Sequence, residues 1–205
     1  MRNQHKTKGH DGVLTEEMNY NILSIEAVEN SDLNEQLSFL LTERKLDTDE
    51  NIEYYEQTIF TRLPPILIIS INRTKFEDGV KYKNKCRFPF NNEISIDYCT
   101  EDDLNSKEYI LFSIIVHIGD SIDTGHYISF VAEFDDTGNT VKWHEFNDKF
   151  VYYVDEKRVV DISFGSDEFS SAILFYVSKE NISFITIHNA AYFGGLIKQR
   201  IKELN

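Results

Sequence analysis

The sequence predicts an α+β fold, mainly an antiparallel β-sheet with a short helical part near the N-terminus. Three observations predict it. From residue 108 onward, short apolar segments alternate with turns rich in Asp, Gly and Asn. Leu63-Pro64-Pro65 leads into the Ile-rich run Ile66–Ile71. Before the sheet region, residues 31–41 carry an apolar face at helical spacing. Composition supports a packed body: of 205 residues, 41% are hydrophobic and 13% aromatic, enough to fill a core and exclude global disorder.

Residues 1–19 are polar and read as a flexible lead-in. Tyr20–Val28 alternates weakly and reads as a strand. Ser31 is placed to cap free N–H groups at a helix start, with Asp32 complementing the helix dipole. Leu33, Leu37, Leu40 and Leu41 then share one helix face. Residues 43–57 are charged and polar and read as a surface connection or a short irregular arm. The two prolines forbid a helix interior and favour extended entry, so Ile66–Ile71 reads as a buried strand. Tyr109–Ile118, Tyr127–Phe134, Thr140–Phe146, Phe150–Val154 and Ser171–Val177 are five further strands. In the tail, Ile182–Ile187 is strand-like, while Leu196, Ile197, Ile201 and Leu204 are helix-spaced.

Charge and cysteine count narrow the function. With 21 basic and 35 acidic residues the net charge is −14, which disfavours nucleic acid and anionic membrane and favours a basic partner. Cys86 and Cys99 are too few for a disulfide scaffold or a four-thiolate zinc site. Met1–Gly12 lacks an apolar core, so no secretory signal is expected, and an intracellular place, cytoplasmic or nuclear, is expected. No apolar run approaches the ~18 residues of a membrane span.

Six histidines are available. His5 and His10 lie in the polar lead-in and read as solvent-facing, His117 reads as a packed or edge strand residue, and His144 as an exposed one. A zinc site on His117, His126 and His144 lacks a thiolate or carboxylate at ligand spacing, so no metal and no cofactor is expected. His126 has the setting of a general base: it leaves the loop Gly119–Gly125 and begins a strand. Gly125 beside it either finishes a loop or leaves room for a ligand backbone. Asn147 and Asp148 lie at the next strand-to-turn junction, where an amide or carboxylate can orient an imidazole.

These segments together resemble the ubiquitin-specific proteases. Leu63–Arg73 resembles their "LPPxLxxxLxR" stretch, and Tyr109–Gly119 their "YxLxxVxxHxG" strand. Gly125–Phe130 resembles the "GHYxxY" histidine box, Trp143–Val151 the "WxxFNDxxV" segment, and Ser171–Tyr176 the closing "AYxLxY" strand. Five motifs in order cover the chain from about Leu23 to Tyr176. The resemblance implies the palm of a papain-like cysteine peptidase that cleaves the bond between ubiquitin's C-terminal glycine and a lysine amine. His126 would be the general base, Asn147 the residue that orients it, and Asp148 a neighbour able to share that role. Gly119, Asp120, Gly125 and Tyr127 would border ubiquitin's tail.

The departures define the chain as well. The family's "GNTCYxN" nucleophile box does not occur in it; Cys86 and Cys99 lie in other settings and read as inert thiols. Tyr54–Gln57 stands where many members carry zinc-binding cysteines, and Thr74 follows Arg73 where Phe is usual. The expectation is therefore the C-terminal, histidine-bearing half of such a protease. It is inactive alone, with ubiquitin or its conjugates and a cysteine-bearing N-terminal half as partners. The alternative is a catalytically dead relative that binds ubiquitin as a scaffold. Residues 1–62 would be lead-in and finger-side remnant, 63–178 the palm, and 179–205 a helical appendage.

Overall fold

The computed structural model describes residues 1–9, 12–46, 54–100, 103–135 and 137–185. Its centre is an eight-stranded sheet. Seven strands run in the order β13 (Phe150–Val154), β12 (Thr140–Asn147), β11 (His126–Phe134), β10 (Leu104–Ile118), β14 (Phe169–Ser178), β6 (Ile66–Asn72) and β3 (Leu23–Glu26). The eighth, β9 (Glu93–Cys99), pairs with the first half of β10. Every pairing is antiparallel except β3 on β6.

The register makes the sheet two-faced, because side chains alternate along each strand. Leu23, Ile69, Leu174, Ile114, Phe130 and Glu145 form one row across it, and all are buried. The next row is Ser24, Ser70, Ile173, Ile115, Ser129, Phe146 and Val151, and none is fully buried. The buried row joins one core with Leu33 and Leu37 of α1 (Leu33–Leu41), Val159 and Ile162 of α2 (Glu156–Ser163), and Phe88 and Phe90. Each buried aliphatic or Phe side chain there contributes about 1.5–3 kcal/mol by leaving water, whereas Glu145 is held by its ion pair with Arg158.

Arg73, directly after β6, is buried and locks the sheet to its surroundings. Its guanidinium donates to the carbonyls of Ser171 (3.1 Å), Asn84 (3.2 Å), Cys86 (2.8 Å) and Phe164 (3.5 Å). One side chain thus ties β6 to β14, to the end of α2 and to the segment leading into Phe88. Burial lowers the affinity of Arg73 for its proton; the Cys86 thiol beside it acts in the opposite direction.

Several expectations need correction. The polar lead-in forms strands β1 (Arg2–Gly9) and β2 (Gly12–Asn19), joined with β5 (Tyr54–Arg62) and β4 (Arg44–Leu46) in a second sheet. Backbone pairing there outweighs the polar composition, and β4 and β5 also take up residues 44–46 and 54–57 of the stretch expected as a connection. Asp32, not Ser31, caps α1: its carboxylate accepts from the Glu35 amide at 2.9 Å, while Ser31 bonds the Glu35 side chain at 2.8 Å. Residues 182–185 are helical rather than strand-like. His144 is buried, with Nε2 2.9 Å from Glu133 Oε2. His10, His188 and the helix-spaced leucines and isoleucines after residue 195 lie outside the described residues.

Candidate active site

Two adjoining strand ends build the site. His126 opens β11, opposite Ile118 at the end of β10. Asn147 closes β12 and pairs with Phe150 across the turn into β13. That turn needs Asp148 in the left-handed region (φ 50°), a conformation Asp tolerates better than most residues. The geometry brings the His126 Nε2 within 2.8 Å of Asn147 Oδ1.

This contact decides the tautomer. Asn147 Oδ1 has only lone pairs, so His126 Nε2 must carry the hydrogen and donate it. The neutral ring then presents Nδ1 as its unprotonated, basic nitrogen. Asp148 stands apart, with Oδ2 3.9 Å from Nε2, beyond hydrogen-bond reach. The His126 side chain is 42% exposed, so a reacting group can approach it.

The loop Gly119–Gly125 borders this histidine and closes on the buried ring of His117. Both glycines have positive φ, 136° and 154°. A Cβ on Gly125 would fall 2.2 Å from His117 Nε2 and 2.3 Å from the Ile118 carbonyl, so no side chain fits. The chain's own ring therefore accounts for the glycine. Gly119 donates its amide to the Glu168 carbonyl at 2.9 Å. Asp120 is exposed and pairs with Lys85 at 2.7 Å, which holds its carboxyl below the usual range. Tyr127 is exposed, its ring centre 4.9 Å from that of His117. Below it, on the incompletely covered face, lies a groove of about 610 Å³ lined by Ser70, Asn72, Ile115, His117, Tyr127 and Ile173.

One residue of this region escapes a sequence reading. Lys83 is buried and its Nζ sits 2.9 Å from His117 Nδ1 and 2.6 Å from the Gly119 carbonyl. An ammonium has no lone pair, so Nδ1 accepts and the His117 ring is neutral. Burial, reinforced by Lys83, holds the His117 imidazole below its ordinary value, against a bond to the Thr124 backbone. The one available signal was Asp78-Gly79, a hairpin dipeptide between alternating segments. It joins β7 (Thr74–Glu77) to β8 (Val80–Lys83), with positive φ at both turn residues.

Cys86 lies in the segment after β8 and Cys99 at the end of β9; both are half-buried, and neither opens a helix. Among the described residues, no helix is long and apolar enough to cross a membrane.

Comparison with known proteins gives this geometry its context. The family model described as "Ubiquitin carboxyl-terminal hydrolase" matches residues 2–176. Ubiquitin carboxyl-terminal hydrolase 7 of Drosophila melanogaster is 29% identical over 119 residues, covering 55% of this chain and 10% of that protein. Ubiquitin carboxyl-terminal hydrolase 15 of Saccharomyces cerevisiae is 27% identical over 162 residues, covering 71% of the chain and 13% of that protein. Ubiquitin carboxyl-terminal hydrolase 4 of Arabidopsis thaliana is 32% identical over 110 residues, covering 53% and 28%. The chain thus spans between about a tenth and a little over a quarter of these relatives. A match reaching from the first strand to β14, and so including His126 and Asn147, means that the chain belongs to the ubiquitin carboxyl-terminal hydrolase family.

Proposed function

We propose that this chain supplies the histidine and asparagine of a ubiquitin-cleaving cysteine peptidase, in a palm formed by residues 63–178, while a separate segment brings the thiol. The observation that carries the reading is the 2.8 Å contact between His126 Nε2 and Asn147 Oδ1. It leaves Nδ1 as the basic nitrogen of a half-exposed ring at a strand end. His126 Nδ1 takes the thiol proton, and the thiolate attacks the carbonyl of ubiquitin's C-terminal glycine. The imidazolium returns that proton to the leaving lysine amine as the carbon–nitrogen bond breaks. Water, deprotonated by the same nitrogen, then hydrolyses the thioester. Asn147 holds the ring throughout, and Gly119, Asp120, Gly125 and Tyr127 border the ubiquitin tail. The half-exposed row from Ser24 to Val151 offers a partner segment a partly apolar platform.

The second reading, a ubiquitin-binding relative without catalysis, is favoured by the settings of Cys86 and Cys99, neither at a helix start. Two measurements test the proposal. A ubiquitin–fluorophore reporter should remain uncleaved by the chain alone, and isothermal titration should detect ubiquitin binding. Turnover that depends on His126 in the isolated chain would contradict the division of labour, and absence of ubiquitin binding would contradict the substrate.

A further inference from the structure

The loop beside His126 is held from outside by a row of lysines. Lys81 and Lys83 share one face of β8, and Lys85 follows in the segment that leaves the hairpin. All three reach the same seven-residue loop. Lys81 Nζ meets Asp123 Oδ1 at 2.5 Å, near the loop's end. Lys85 Nζ meets Asp120 Oδ1 at 2.7 Å, near its start. Between them, the buried Lys83 donates to the Gly119 carbonyl at 2.6 Å and to His117 at 2.9 Å. His117 in turn packs against Gly125. Both loop acids and the Gly119 carbonyl are thus engaged by this one lysine-bearing segment, and Gly125 is reached through His117.

We infer that Lys81, Lys83 and Lys85 form a latch that positions the Gly119–Gly125 loop beside His126, with Lys83 as its buried anchor and the two outer pairs as its salt-sensitive part. The inference rests on the proposed function only for the ligand that the loop meets. The outer pairs are exposed, so each is individually weak and screened by salt. Their convergence on one short loop is what gives the latch its effect. Lys83 is little exposed, so salt reaches it poorly. These are positioning residues: none touches the reacting atoms.

Backbone ¹⁵N relaxation on the full chain tests the latch without any ligand. In the wild type at low salt, the amides of residues 119–125 should show order parameters near the rigid value of about 0.85. Lys81→Gln/Lys85→Gln should lower those of residues 120–124 towards the flexible range below about 0.6. About 1 M salt should do the same to the wild type. Lys81→Arg/Lys85→Arg should restore rigidity, and the thermal midpoint should stay unchanged, which separates positioning from folding. Lys83→Met, which keeps the length without the charge, should loosen Gly119 and Gly125 as well. Loop order unchanged in both the double glutamine variant and Lys83→Met would overturn the latch. A parallel ubiquitin titration keeps the two proposals apart. With the latch released, ubiquitin affinity should fall about two- to tenfold, since the loop must then be ordered on binding. A loosened loop together with no ubiquitin binding by the wild type would sink the proposed function and leave the latch standing. Loosening with undiminished affinity would overturn the claim that loop position matters to the site.

Discussion

At the residue scale, the site depends on which oxygen faces His126. Asn147 is at 2.8 Å and Asp148 at 3.9 Å, so the two are not interchangeable. With a cysteine-bearing segment supplied, His126→Ala should lower kcat/KM by the ~10²–10⁴-fold that a general base contributes. Asn147→Ala should fall within that range, and Asp148→Ala should change the rate little; steady-state cleavage of a ubiquitin reporter checks the order. Neighbouring Gly125 is fixed by contact rather than by catalysis. Gly125→Ala combines a positive φ with a Cβ 2.2 Å from the His117 ring, and strained backbone alone costs of order 1–3 kcal/mol. Urea unfolding should show at least that loss. His117 itself titrates with a sign the geometry sets. Its folded-state value lies below the ordinary 6.5 because burial and Lys83 disfavour the charge. Its contribution is therefore fully present above pH 6.5 and is lost as pH falls through the lowered value. Unfolding free energies measured against pH should fall more steeply on acidification for the wild type than for His117→Gln, whose amide can bridge the same partners without titrating. Equal slopes would contradict the assignment.

At the element scale, legibility followed local pattern. The strands after residue 108 could be read because alternation and turn residues coincided, and β13 (Phe150–Val154) matches its expected bounds. The His126–Asn147 pair could be read because each ends a strand beside a turn, and β11 and β12 are antiparallel neighbours. The elements that went unread are those whose signal is weak or non-local. The helix α2 buries only Val159, Ile162 and Ser163, so its apolar stripe is thin, although Asp155 caps it through the Arg158 amide at 2.8 Å. The β1–β2 hairpin is polar in sequence and is specified by pairing with β5, more than fifty residues away for most positions. Lys83 and His117 are 34 residues apart, and no periodicity links them.

At the scale of the whole molecule, one guanidinium and one open face matter most. Arg73 converges on four carbonyls from three separate parts of the chain. Arg73→Met removes these bonds while Phe164 keeps the Phe88 amide as its donor, so chemical denaturation should show a loss of about 1–3 kcal/mol for each buried acceptor left unpaired. The half-exposed row across the sheet, Ser24 to Val151, leaves partly apolar surface for a partner. The isolated chain should therefore bind a hydrophobic dye while folded, and a cysteine-bearing partner segment should suppress that binding.

The central claim is that Asn147 fixes the imidazole of His126 with its hydrogen on Nε2, leaving Nδ1 to act as the base. Long-range ¹H–¹⁵N correlation of the His126 ring measures this directly in the chain as it stands. The expected spectrum shows the Nε2–H tautomer in the wild type and a mixture of tautomers in Asn147→Ala. A wild-type ring protonated on Nδ1, or a tautomer indifferent to Asn147, would contradict the account.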